Sequence, residues 1–146
     1  SLMLDNGEVL TEGAAILQYL ADLVPEKQLA PKAGTMERYR LMEALNYIAT
    51  ELHKSFVPIF NPAYEGAKGA AKNELTVEFD YVDRLLTQKP YWMGDQFTVA
   101  DAYLFTVSCW IEAAGLDIRQ WKALDQYRQK IASRPSVKEV LAEEGM

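Results

Sequence analysis

His53 is the only histidine in the chain, which makes it the first residue to consider for proton transfer or for orienting a reactant near neutral pH. On a helical wheel at about 100° per residue, Asn46, Thr50 and His53 share a polar face turned away from a leucine stripe. That face is either a solvated surface or one wall of a site. Tyr47, Glu51 and Lys54 form a second polar strip, in which Glu51 and Lys54 also read as an exposed pair worth about 0.2–0.5 kcal/mol. No nucleophile stands beside His53 in sequence, so no triad follows. Glu12-Gly13 falls where a strand passes into a helix, and free backbone N–H groups at such a start can hold a carboxylate. Gly13 permits close approach there, or serves only as a turn residue. Cys109 lies mid-way along an apolar stretch with no neighbouring cation, which reads as a packed, inert thiol. One cysteine and one histidine leave no metal site of the Cys/His kind. No glycine-rich phosphate loop, serine-histidine-acid grouping or paired-carboxylate constellation is present.

The elements that must position these residues are mostly helical. Leu2-Met3-Leu4 and Glu8-Val9-Leu10 flank Asp5-Asn6-Gly7, a strong hairpin signal. Ala15, Ile16, Tyr19, Leu20 and Leu23 predict a helix near 13–23, stopped by Pro25. Pro25 to Gly34 reads as a linker. Leu41, Leu45, Ile48, Leu52 and Phe56, then Leu75, Phe79, Val82 and Leu86, predict two antiparallel helices joined by a loop holding Pro58, Pro62 and Gly66. Thr98 and Asp101 have capping-box spacing. The helix they open is apolar on every side from Ala100 to Ile111 and is expected to be buried, with Asp101 charged at its N-terminus. Leu124, Gln126, Tyr127 and Ile131 predict a further helix. Ser136 and Glu139 predict a second capping box for a last helix that Gly145 ends.

Composition narrows the function classes. The 146 residues carry 15 Lys+Arg against 21 Asp+Glu, a net charge of −6, and a pI near 4.8 argues against a nucleic-acid partner. Apolar residues make up 49%, enough for a packed core. No apolar run approaches the ~18 residues of a membrane span, and no leader-like start precedes Met3. A lone cysteine suits a reducing compartment, and the expectation is a cytoplasmic protein with neither nucleic acid nor membrane as partner.

Thr11-Glu12-Gly13-Ala14-Ala15-Ile16 with Tyr19-Leu20 resembles the end of the thioredoxin-like domain of cytosolic glutathione transferases. Tyr47-Ile48-Ala49-Thr50-Glu51-Leu52-His53-Lys54 resembles the first long helix of the bacterial beta-like class. Met93 to Asp101 is similar to the family's capping segment, and Arg134-Pro135-Ser136-Val137 to its entry into a late helix. The resemblance runs from Leu2 to Met146. It implies attack of the glutathione thiolate on small electrophiles, glutathione being a co-substrate with no cofactor or metal, in a homodimer with a detoxifying role.

In that picture Glu12, Gly13, Asn46 and Glu51 meet glutathione, the last two near the dimer interface. His53, Lys54 and Trp110 line the electrophile side, and Thr98, Asp101, Ser136 and Glu139 cap helices. Gly13 stands where many relatives have serine. The expected fold is mainly α: a C-terminal helical bundle at 35–146, a linker at 25–34, and a hairpin-plus-helix remnant of the glutathione-binding domain at 1–24. The family's thiol-activating segment has no counterpart in the sequence, so no catalytic residue is named and weak or absent conjugating activity is expected of this chain. The alternative function is a non-catalytic helical interaction or dimerisation module, or an inactive fragment.

Overall fold

In the computed structural model, which describes residues 1–145, Asn6-Gly7 turns β1 (Leu2–Met3) back antiparallel onto β2 (Val9–Leu10). Gly7 takes φ 86° at the turn, a conformation open to a residue without Cβ. Helix α1 (Gly13–Leu23) follows with the predicted bounds. The linker holds one 3-10 turn, Pro25–Lys27, before α2 (Met36–Tyr47), whose first turn is capped by the Thr35 hydroxyl on the Arg38 N–H.

Arg38 ties α1, the linker and α2 together. Its guanidinium donates to both Asp22 oxygens at 2.8 and 2.7 Å, to the Pro31 carbonyl at 3.0 Å and to Gln18 Oε1 at 3.1 Å. The hydrogen bonds from Arg38 hold the Asp22 carboxyl below its ordinary value of 3.8, with burial opposing and the positive charge adding to the effect. A depressed carboxyl stabilises the fold above its unfolded pKa, and that contribution is lost as pH falls through the folded value. We expect the urea midpoint to drop below about pH 4, and this part of the drop to vanish in Arg38→Met. Asp22 is half exposed, so the contribution at neutral pH stays under about 1 kcal/mol.

The predicted long helix through Phe56 is not one regular helix. After α2 the chain widens into a π-helical segment, Ile48–His53, then tightens into a 3-10 turn, Lys54–Phe56, and ends in α3 (Val57–Phe60). Ile48, Leu52 and Phe56 are four residues apart, and four residues of an α-helix overshoot a full turn by about 40°. That drift stays within one face of a helix, and all three are buried. The predicted loop with Pro58, Pro62 and Gly66 is also helical: Pro58 is the second residue of α3, and Pro62–Ala67 forms 3-10 turns with Asn61 as cap. Proline suits the first helical positions because its missing N–H is not needed there.

Helix α4 (Lys68–Leu86) returns along the π-helical and 3-10 turns that follow α2 and receives the start of α6 (Lys122–Ala132). Asp83 accepts the Leu124 N–H at 2.9 Å and Asp80 the Trp121 indole at 2.8 Å. Helix α5 (Val99–Ser108) runs through the centre and buries Ala100, Leu104 and Val107 completely. Two expectations for it are corrected. It ends at Ser108, with turns carrying the chain through Ile111 to Gly115. It is also not covered on every side, since Ala102, Tyr103 and Thr106 reach a cleft. Cys109 therefore caps the end of α5 rather than its middle; burial pushes its thiol up, only partly offset by Arg128.

The second capping box does not form. Helix α7 starts at Pro135 and runs to Glu143 with Arg134 at its cap, so Ser136 and Glu139 sit inside the helix without capping bonds. Proline fixes the starting φ one residue before Ser136 and overrides the box. Gly145, at φ 71°, ends the chain's last helix as expected. Among the described residues no helix is long and apolar enough to cross a membrane.

Candidate functional site

Two clefts meet at His53 and Val57. The first, about 530 Å³, is lined by Glu12 and Gly13 from the start of α1, by His53 and Lys54, and by Ala102, Tyr103 and Thr106 from α5. The second, about 610 Å³, is lined by His53, Phe56, Phe60, Asn61, Pro62 and Trp110. Chain segments far apart in sequence thus converge, and the π-helical segment is what turns His53 towards α5. The expected polar face of Asn46, Thr50 and His53 is exposed, but His53 is not turned away from the protein: its ring reaches Tyr103 and Trp110. Such widened turns often accompany functional positions.

The α1 end of the first cleft is polar and strained. Glu12 carries φ 67° and ψ 115°, a backbone region in which side-chain-bearing residues lose about 1–3 kcal/mol. Its carbonyl accepts the Ala15 and Ile16 N–H groups at 3.0 Å each. Among the described residues the N–H groups of Gly13 and Ala14 have no partner, and no side chain caps the helix. Nothing lies within 4 Å of where a Cβ on Gly13 would stand, so a serine there would fit. Free donors at the positive end of an eleven-residue helix, with a carboxylate beside them, make a place for a group carrying both a negative and a positive charge.

The second cleft is aromatic. Phe56 and Phe60 stack at 5.6 Å and 13°, Trp110 stands edge-on to Phe56 at 5.6 Å, and His53 stands edge-on to Trp110 at 4.8 Å. Phe56 is also core, meeting Phe79 from α4 at 6.2 Å. A flat, apolar molecule fits such walls, with His53 and Asn61 supplying polarity at the edge.

Of the residues singled out in the sequence, the structure gathers Glu12, Gly13, His53 and Lys54 in one cleft, with Trp110 in the next. Asn46 and Glu51 line neither: both are exposed, and Glu51 accepts the Thr50 hydroxyl at 2.7 Å. Glu51 lies on the side of Tyr47, whose hydroxyl donates to Glu78 and whose pKa is raised by burial and that bond. Asp101 is structural. Its carboxylate accepts the Trp92 N–H at 2.7 Å, the Thr98 N–H at 2.8 Å, the Thr98 hydroxyl at 3.1 Å and the Tyr127 hydroxyl at 2.9 Å. Sequence reading missed Phe56, Phe60, Asn61 and Tyr103 as site residues. Phe56 lay on helical spacing that reads as core, Phe60 and Asn61 fell in the stretch read as a loop, and nothing local links Tyr103 to a histidine fifty positions earlier.

Residues 47–135 match the family model described as glutathione S-transferase, C-terminal domain. The glutathione S-transferase GstA of Escherichia coli O157:H7 is 44% identical over 147 residues, an alignment spanning 100% of this chain and 73% of that protein. A solved ternary complex of BphK, a bacterial GST, is 46% identical with a TM-score of 0.96, over 99% of this chain and 73% of the other. A sphingomonad glutathione S-transferase complexed with glutathione is 42% identical with a TM-score of 0.95, over the same shares of 99% and 73%.

Proposed function

The chain belongs to the glutathione S-transferase family, whose function is conjugation of glutathione, and we propose that its two clefts take the two reactants. Glutathione lies along the first, against Glu12 and Gly13, and a small electrophile occupies the second, between His53, Lys54 and Trp110. The observation that carries this reading is the pairing of an unengaged carboxylate with two unpartnered N–H groups at the start of α1. The γ-glutamyl end of glutathione carries an ammonium and a carboxylate on one carbon. The N–H pair suits the carboxylate and Glu12 the ammonium, each through a charge-assisted hydrogen bond. The thiol end then points towards Lys54 and His53, whose positive charge and polar ring favour an anionic sulfur. No residue is assigned to removing the thiol proton. In this reading residues 1–24 hold glutathione, 25–34 link, and 35–146 supply the electrophile side; a reducing, cytoplasmic setting suits the lone thiol.

Titration with millimolar glutathione, followed by amide NMR, tests the assignment. Glutathione is expected to move the Gly13 and Ala14 signals, and the dipeptide Cys-Gly, which lacks the γ-glutamyl group with its ammonium and carboxylate on one carbon, is not. Glu12→Gln is expected to weaken binding about 10-fold or more, the loss of one charge-assisted bond of about 1.5–3 kcal/mol. Unmoved Gly13 and Ala14 signals would overturn the proposal.

We also propose a homodimer. Met36, Tyr39 and Met42 form an exposed stripe on α2, Val77 and Tyr81 are exposed on α4, and the Tyr47 and Tyr81 rings, 5.3 Å apart, join the two helices. Large apolar residues grouped on one face favour a second copy. Asn46 and Glu51 border this face and would approach glutathione bound to the other copy. Sedimentation at micromolar concentration is expected to give a dimer mass, and Tyr39→Glu a monomer; a monomeric parent protein would count against the dimer.

A further inference from the structure

We propose that Tyr103 is a positioning residue that locks His53 in the tautomer protonated at Nε2, so that the ring offers the cleft a hydrogen-bond donor and not a base. The function of that donor rests on the reading above; the lock itself stands on geometry. Tyr103 Oη lies 2.8 Å from His53 Nδ1 and makes no other hydrogen bond among the described residues. Between a phenol and a neutral imidazole the phenol is the stronger acid and the ring nitrogen the stronger acceptor. The hydroxyl therefore donates to Nδ1, and the ring proton is left on Nε2. Burial raises the Tyr103 pKa, with Glu12 adding to the effect, which keeps the phenol protonated.

The ring's attitude is fixed as well. Tyr103 stands edge-on to it at 5.8 Å and 82°, and Trp110 at 4.8 Å and 77°. Among the described residues Nε2 has no hydrogen-bond partner, and the ring borders both clefts. A fixed N–H at the junction of the clefts stabilises negative charge that is present on, or develops at, the reacting atoms, without reorganising as it does so. The partner of one ring nitrogen sets which of the two carries the proton.

Because the chain holds a single histidine, its ring nitrogens can be read without ambiguity by long-range ¹H–¹⁵N NMR, at about pH 8 where a free imidazole is neutral. The parent protein is expected to show Nε2 protonated and Nδ1 as a hydrogen-bonded acceptor. Tyr103→Phe, with an unchanged urea midpoint, is expected to move both signals towards those of imidazole free in water. A protonated Nδ1 in the parent, or an unchanged ring spectrum in Tyr103→Phe, would overturn the assignment. Should Tyr103→Phe not fold, scalar coupling between the Tyr103 hydroxyl proton and Nδ1 in the parent decides, its absence counting against the lock. All of these spectra are recorded without glutathione, so failure of the lock and failure of the glutathione assignment are separate results.

Discussion

Asp101→Ala is expected to lower the unfolding free energy by about 3–5 kcal/mol, a large share of the ~5–15 kcal/mol that holds a domain together. The carboxylate is fully buried and gathers four donors from three places: the loop at Trp92, the cap at Thr98 and the Tyr127 hydroxyl on α6. Alanine leaves all four without partners, and each buried unpaired donor costs about 1–3 kcal/mol before relaxation. Asp101→Asn should lose less, because its amide oxygen still serves one side while its NH2 faces donors on the other. His53→Ala, at an exposed ring with one hydrogen bond, should shift stability by no more than about 1 kcal/mol. Urea unfolding of the three variants decides, and equal midpoints for Asp101→Ala and His53→Ala would refute the assignment. Asp101 is also not the source of acid sensitivity. Burial raises its pKa against the pull of its donors, so the fold binds this proton more readily than the unfolded chain does. Its contribution to stability falls as pH rises from about 3.9 through the raised value, the opposite sense to Asp22.

The second large effect is expected for Phe56→Ala, at about 3–5 kcal/mol. Phe56 is 1% exposed and touches Phe60, Phe79 and Trp110, so its ring is at once core and floor of the aromatic cleft. Phe60 is 48% exposed, and Phe60→Ala should alter stability by less than about 1 kcal/mol while widening the same cleft. The pair separates packing from recognition. Denaturant midpoints report the first, and binding of a flat aromatic probe, followed by the probe's own fluorescence, reports the second. A Phe60→Ala protein as unstable as Phe56→Ala would show that the cleft wall is part of the core.

The legible parts of the chain are those in which local chemistry has one outcome. Asn6-Gly7 can turn a hairpin in few ways, Pro25 ends α1, and Thr98 with Asp101 starts α5. The positions of Glu12, Gly13, His53 and Lys54 were readable, but their convergence was not, because it depends on the π-helical segment. The spacing carried no signal for that segment: Ile48, Leu52 and Phe56 keep a spacing of four twice in succession, but so do the buried Ala71, Leu75 and Phe79 in the regular helix α4. Ser136 and Glu139 misled because a proline one residue earlier sets the helix start. Tyr103 carried no signal, since its partner is brought to it only by tertiary packing.

The backbone at Glu12 has a consequence for anyone improving this protein by selection. At φ 67° glycine would relieve the local strain, so a library sorted for heat resistance alone should enrich Glu12→Gly. Those survivors would have lost the carboxylate proposed to receive the ammonium of glutathione. Robustness and recognition therefore pull this position in opposite directions, and a campaign that scores both would be expected to leave glutamate in place and find its gains elsewhere.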